Sequence, residues 1–305
     1  MTNLRALLQM PVPELENFQE WKLWWQRYFS QLDEQGRTQT LEQAFVMGSL
    51  SDRFAWAFSC GYQWAIRSLL PAFQQNPGLM ALCITEEKGG HPRSIHARLT
   101  ADQDGYRISG HKRFVSGGSD ADLLFVALNT GEEQNGRPVL KMAAVDAGSD
   151  GIIFNNMPAL PMIPELAHAM IDFDNVSLSE EELLTGDGYQ NYIKPFRLQE
   201  DMHVQAAVLG MLARKSQDLN QPELVETAIA LFSILETCWE RGECPQTHLA
   251  IGGMAPLLKN LLETFIATLP SPEEQQIWKR DTALLSIAGK ARKIRLQKAR
   301  EWLVS

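Results

Sequence analysis

Apolar residues recur at three- and four-residue steps from Glu14 onward. Phe18, Trp21, Trp25, Tyr28 or Phe29, and Leu32 fall along one face, the period of an amphipathic helix. Gly36 is expected to end it. The tryptophan-rich face reads either as an anchor that docks the helix on the body or as a ligand platform. Residues 41–70 are apolar nearly all round, with Phe45, Val46, Leu50, Phe54, Trp56, Phe58, Trp64 and Ile66. That pattern predicts one buried helix or two, with Ser51-Asp52-Arg53 as the break and Pro71 as the stop.

The period then changes. Between Leu82 and Leu128 short apolar runs alternate with turn residues. Asp104-Gly105 lies between two alternating stretches, Ile95/Ala97/Leu99 and Tyr106/Ile108. A hairpin is expected there, because Gly supplies the positive φ of the turn. Further strands are predicted over 123–128, 139–145, 151–154 and 170–176, with 131–136 as a charged turn and Pro158, Pro161 and Pro164 in irregular loop. Six or seven strands suit a small barrel or sandwich. Helical periodicity returns near 196–219, 223–241, 254–269 and 273–303, with short Pro- or Gly-marked connections. The expected fold is α+β: an N-terminal helical domain (1–80), a central β-barrel or sandwich domain (81–186) and a C-terminal four-helix bundle (187–305).

Composition narrows the partners. Apolar residues make up 45% and charged residues 21%, ordinary values for a soluble globular chain. The net charge of −9 disfavours nucleic acid and anionic membranes, while leaving room for a local basic pocket. Cys60, Cys83, Cys238 and Cys244 are scattered and read as reduced thiols. No apolar run reaches the roughly 20 residues of a membrane helix, and no basic start leads into an apolar core. A cytoplasmic location is the expectation.

Three pieces of the central region carry a resemblance. They are Thr85-Glu86 after a short apolar strand, Gly110-His111-Lys112-Arg113-Phe114-Val115-Ser116-Gly117-Gly118, and Phe173-Asp174-Asn175-Val176. Their order, spacing and helical flanks resemble the middle domain of the acyl-CoA dehydrogenase family, whose members usually show Thr-Glu-Pro, Gly-x-Lys-x-Trp-Ile-Thr-Asn-Gly and Phe-Asp-x-Val. The likeness runs with patchier support from Leu41 to the C-terminus, as a divergent, shortened member. It implies FAD as cofactor, an acyl-CoA-like substrate, an electron-transfer flavoprotein or a full-length relative as partner, and a homo-oligomer assembled through the bundle. The family chemistry is removal of an α proton by a carboxylate while a hydride leaves the β carbon for the flavin. By position, Leu82, Ile84 and Thr85, with Phe114, Val115 and Ser116, map onto the two strands that supply donors and a wall to the flavin ring. Read as residues alone, Thr85 and Ser116 equally fit strand ends that cap their own backbone.

Departures from the family pattern bear on catalysis. The usual Gly-x-Gly-Ser-Asp is here Glu87-Lys88-Gly89-Gly90-His91, and the segments that hold the FAD pyrophosphate and adenine are replaced by 218–222 and 268–272. The common position of the base falls on Gly289, which has no proton acceptor. Some members place the base on the first bundle helix, before a Gly that packs the helices; aligned on Gly210, that position is Glu200. Its flanking positions are Leu198 and Asp201, and Glu200-Asp201 also fits a solvated helix face. Two function classes therefore stand: a flavin-dependent oxidoreductase, or a family-derived protein without catalysis that serves as a binding or assembly partner. The basic run Lys290, Arg292, Lys293, Arg295, Lys298 and Arg300 reads as a solvated helix end or as an attractor of CoA phosphates or an acidic partner. The six histidines share no spacing with carboxylates, so no metal site is predicted.

Overall fold

The computed structural model describes residues 4–304, apart from the side chain of Lys290. Five helices lead the chain: α1 (Leu4–Leu7), α2 (Phe18–Gln31), α3 (Glu34–Thr38), α4 (Thr40–Ser49) and α5 (Phe54–Leu69). Asn17 caps α2 by accepting from the Glu20 N–H, and Phe18, Trp21, Trp25 and Phe29 form its buried face. The aromatic face is an anchor: Trp21 stacks on Trp56 of α5, and Phe29 on Trp64. Gly36 does not end α2, which stops at Gln31; Gly36 lies inside the short α3. The expected break at Ser51-Asp52-Arg53 separates α4 from α5.

Arg67 of α5 is fully buried without a carboxylate partner. Its guanidinium packs over the Trp25 and Phe29 rings and donates to the carbonyls of Asn76 (2.8 Å) and Gly78 (2.7 Å). Burial pulls its pKa down to about 9. The 70–79 link is thereby held in place where it enters the first strand.

Seven strands follow: β1 (Met80–Cys83), β2 (Arg98–Asp102), β3 (Gly105–Ser116), β4 (Leu123–Gln134), β5 (Arg137–Asp146), β6 (Ile152–Asn156) and β7 (His168–Leu178). They form one curled sheet in the order β1-β4-β2-β3-β7-β6, with β5 on the far flank of β4's path. The hairpin at Asp104-Gly105 joins β2 to β3. The predicted 131–136 turn is instead strand on both sides of a tight turn at Asn135-Gly136, where both residues take positive φ. An Asn-Gly pair suits that two-residue connection, and it carries the hairpin farther than the charged residues suggested.

The C-terminal part begins with a π-turn (Gly188–Ile193) and continues through α6 (Lys194–Asp218), α7 (Pro222–Arg241), α8 (Pro245–Thr268), α9 (Pro272–Thr282) and α10 (Gly289–Val304). The last predicted helix is thus two, separated by a 3₁₀ turn at Ala283–Ser286. Helix α8 starts earlier than periodicity suggested and carries Pro256 in its interior. On length and composition alone it is long enough and apolar enough to cross a membrane; here it packs on α7 and α10. Helix α6 is the axis, touching α4, α5 and α7. Its closest approach is reciprocal: a Cβ at Gly48 would overlap the Ala207 carbonyl, and one at Gly210 the Phe45 carbonyl. Gly210 does pack the helices, as its position implied.

Candidate functional site

The two strand ends named from the sequence meet. The Thr85 carbonyl, just past β1, accepts from the Arg113 N–H at 2.8 Å, so Leu82, Ile84 and Thr85 lie beside Phe114, Val115 and Ser116. Leu82 and Val115 are buried, whereas Ile84, Thr85 and Ser116 keep some exposed surface. The Thr85 hydroxyl has no hydrogen-bond partner among the described residues, so it does not cap its own backbone. A Cβ on Gly90 would touch it at 3.6 Å.

Phe114 sits on a register shift in β3, between Lys112 and Val115, with φ of 56°. A bulky residue in the left-handed region is a strained exception. Its N–H points at Met157 Sδ (3.4 Å) and its ring is 47% exposed, with the Arg113 guanidinium over it. The bulge turns an aromatic plane out of the sheet.

Beneath these strand ends lies a pair that periodicity did not show. Lys112 Nζ meets Glu86 Oε1 at 2.7 Å, with both side chains buried. Glu86 also accepts from the N–H groups of His96 (2.8 Å) and Ala97 (3.0 Å). Burial alone would push this carboxyl up; the Lys112 charge, its hydrogen bond and the two amides outweigh that and hold it below its ordinary value. Glu86 thus ties the loop after β1 to the start of β2 and to β3. The Glu87 and Lys88 side chains point outward, and Glu87 reaches Arg113 at 3.5 Å.

Helix α6 closes the other side. Phe196 meets Tyr62 of α5 edge-on at 6.0 Å, and the Tyr62 hydroxyl accepts from the Leu82 N–H at 2.9 Å. Arg197 donates to the Gly90 carbonyl at 3.2 Å. Glu200 shares this face, one turn beyond Phe196, close enough to Tyr62 for its charge to be felt there. Glu200 is half-buried and has no ionic partner among the described residues. Burial, with the adjacent Asp201 charge, raises its pKa to about 7.

Asp201 is buried, which overturns the solvated-face reading of Glu200-Asp201. It receives Arg292 (2.6 and 3.1 Å), Arg295 (3.3 Å) and Gln205 (2.8 Å). The basic run on α10 is therefore partly an internal clamp, because two of its arginines are committed to α6. A separate cleft of about 830 Å³ between α8, α9 and α10 backs onto this clamp through Gln205 and Arg292, and no strand-end residue lines it. At Gly289 an added Cβ would meet nothing within 4 Å, so the usual base position is neither filled nor replaced.

The comparisons agree with this geometry. Residues 81–176 match the model of the acyl-CoA dehydrogenase middle domain. The middle domain is that of the acyl-CoA dehydrogenase family, carried on the family's fold. The mitochondrial isobutyryl-CoA dehydrogenase of Dictyostelium discoideum is 29% identical over 89 residues, 29% of this chain; the chain matches only 21% of that relative's length. Butyryl-CoA dehydrogenase from Megasphaera elsdenii superposes with a TM-score of 0.69 at 12% identity, covering 97% of this chain and 100% of that one. A structure titled as the FAD complex of PigA superposes at 0.63 with 13% identity, over 97% and 92%.

Whether these residues suit FAD divides the molecule in two. At the strand ends they suit the ring: the unpaired Thr85 hydroxyl at its edge, the exposed Phe114 plane as a wall, and the open face of Gly89-Gly90. The bundle offers less to the dinucleotide tail, since α6–α7 and α8–α9 are joined by turns of only three residues, 219–221 and 269–271.

Proposed function

We propose that this chain is a flavin-dependent oxidoreductase of acyl-CoA dehydrogenase type, acting on an acyl thioester or related carbonyl compound. FAD is its cofactor and Glu200 its proton acceptor. The observation that carries the reading is the placement of an unpaired carboxyl, with its pKa raised to about 7, on the α6 face that meets the end of β1 through Tyr62 and Gly90. A carboxylate poised near neutrality matches the demand on a general base for an α proton. Thr85 offers a hydrogen bond to the ring edge, Phe114 covers one face, and Phe196 with Tyr62 lends the acyl side an apolar wall. When bound, FAD accepts the hydride that leaves the β carbon.

The three-residue turns and Gly289 favour a second reading, in which catalysis is lost and the chain serves as a binding or assembly partner. A full-length relative supplying the missing contacts, or an electron-transfer flavoprotein as acceptor, would fit the first reading. The same reading places the protein in the cytoplasm as a homo-oligomer.

Visible absorbance separates the two. The protein incubated with FAD and desalted should retain a flavin spectrum, and acyl-CoA should bleach it; Glu200→Gln should bleach about 10² to 10⁴-fold more slowly. A colourless protein overturns the flavin reading. A Glu200→Gln variant that bleaches as fast as its parent removes Glu200 from the mechanism.

A further inference from the structure

The family resemblance assigns the hydroxyl on the second strand a donor's role toward the cleft. The surroundings of Ser116 give it the opposite polarity. Ser116 Oγ lies 3.3 Å from His168 Nε2, across the β3–β7 pairing in which the two residues are direct partners. The other ring nitrogen, Nδ1, lies 3.1 Å from the Leu166 carbonyl oxygen, which has no hydrogen to give. Nδ1 must therefore carry the ring proton. His168 is buried, and no carboxylate is among its hydrogen-bond partners, so the neutral ring is favoured and Nε2 holds a lone pair. Ser116 has one hydroxyl hydrogen, and that lone pair takes it. Ser116 retains surface exposure, and only its oxygen lone pairs are left for a ligand.

We propose that His168 is a positioning residue that fixes Ser116 as a hydrogen-bond acceptor toward the cleft, so that the site holds the reduced flavin ring more tightly than the oxidised one. The inference rests on the flavin reading above. The oxidised ring presents an unprotonated nitrogen at its central edge, so acceptor would face acceptor. Reduction places a hydrogen on that nitrogen, and the mismatch becomes a hydrogen bond. A free serine hydroxyl would do the reverse, donating to the oxidised ring.

The test is the midpoint potential of bound FAD, measured against redox dyes at fixed pH for the FAD-loaded protein. Ser116→Ala should lower the preference for reduced over oxidised flavin by up to about tenfold, the scale of one net hydrogen bond. For a two-electron couple that is about 30 mV more negative. His168→Leu frees the hydroxyl to donate and should shift the potential in the same direction. His168→Gln, whose side-chain oxygen can still accept from Ser116, should restore the parent value. A potential that rises in Ser116→Ala, or stays unchanged, overturns the inference while leaving the flavin reading intact. A parent that binds no FAD overturns both. Should His168→Leu fail to fold, the sign of the Ser116→Ala shift decides by itself.

Discussion

Two carboxylates flank the same strand end and live under opposite rules. Glu86, beneath Thr85, is sealed from water yet held ionised by Lys112 and two amide N–H groups. Glu200, across on α6, is half-buried with no cation of its own, and its neighbouring cations are committed to Asp201. The first is compensated and therefore structural: it fixes where the strands end. The second is uncompensated and therefore free to exchange a proton near neutrality. Burial alone does not mark a reactive group; burial without a partner does.

The sharpest way to break this contrast is to remove compensation from Glu86. Lys112→Met leaves a buried carboxylate unpaired and should cost about 3–5 kcal/mol, read from the urea midpoint. Adding Glu86→Gln should recover part of that loss, because the stranded charge is then gone. Equal stability of parent and single variant would mean that the pair is not formed.

Glu200→Gln should do the opposite. A carboxyl whose folded pKa is raised stabilises the fold below its unfolded pKa and loses that contribution as pH rises through about 7. The variant should match its parent near pH 4 and exceed it at pH 8 by about 1–2 kcal/mol, discounted for partial exposure. The buried His203, with its pKa lowered to about 4 by desolvation, is common to both proteins and cancels in the difference. Denaturation midpoints at the two pH values check this; a variant less stable at pH 8 would show that Glu200 is compensated after all.

The smallest effect concerns the wall between them. Phe114→Gly relieves a left-handed backbone without removing buried surface, and should stabilise by about 1 kcal/mol in thermal unfolding. The same substitution should weaken retention of FAD. Stability gained with retention unchanged would take Phe114 out of the site.

Much of the architecture was legible because it is local. Asp104-Gly105 announced its hairpin, Ser51-Asp52-Arg53 its break, and the tryptophan face its helix. Asn135-Gly136 was masked by the charged residues around it, although a two-residue Asn-Gly turn was the stronger signal. The single long helix expected over 273–303 failed because nothing in its periodicity records the 3₁₀ turn at Ala283–Ser286. The site residues were named correctly as neighbours, since Thr85 and Arg113 do join the two strands. Their polarity was not legible. Glu86 with Lys112, Ser116 with His168 and Asp201 with Arg292 are partners 26, 52 and 91 residues apart, and only folding brings them together.

The Asp201 clamp has one further consequence. The carboxylate that receives the final helix is joined by a single peptide bond to the one that would take the proton. A chain cut before α10 would leave Asp201 charged and unanswered, and that stray negative charge would push the neighbouring acid still further from ionisation. Completion of the polypeptide is in this sense wired to the chemistry: the tail does not touch the cleft, yet a missing tail would be felt there at once.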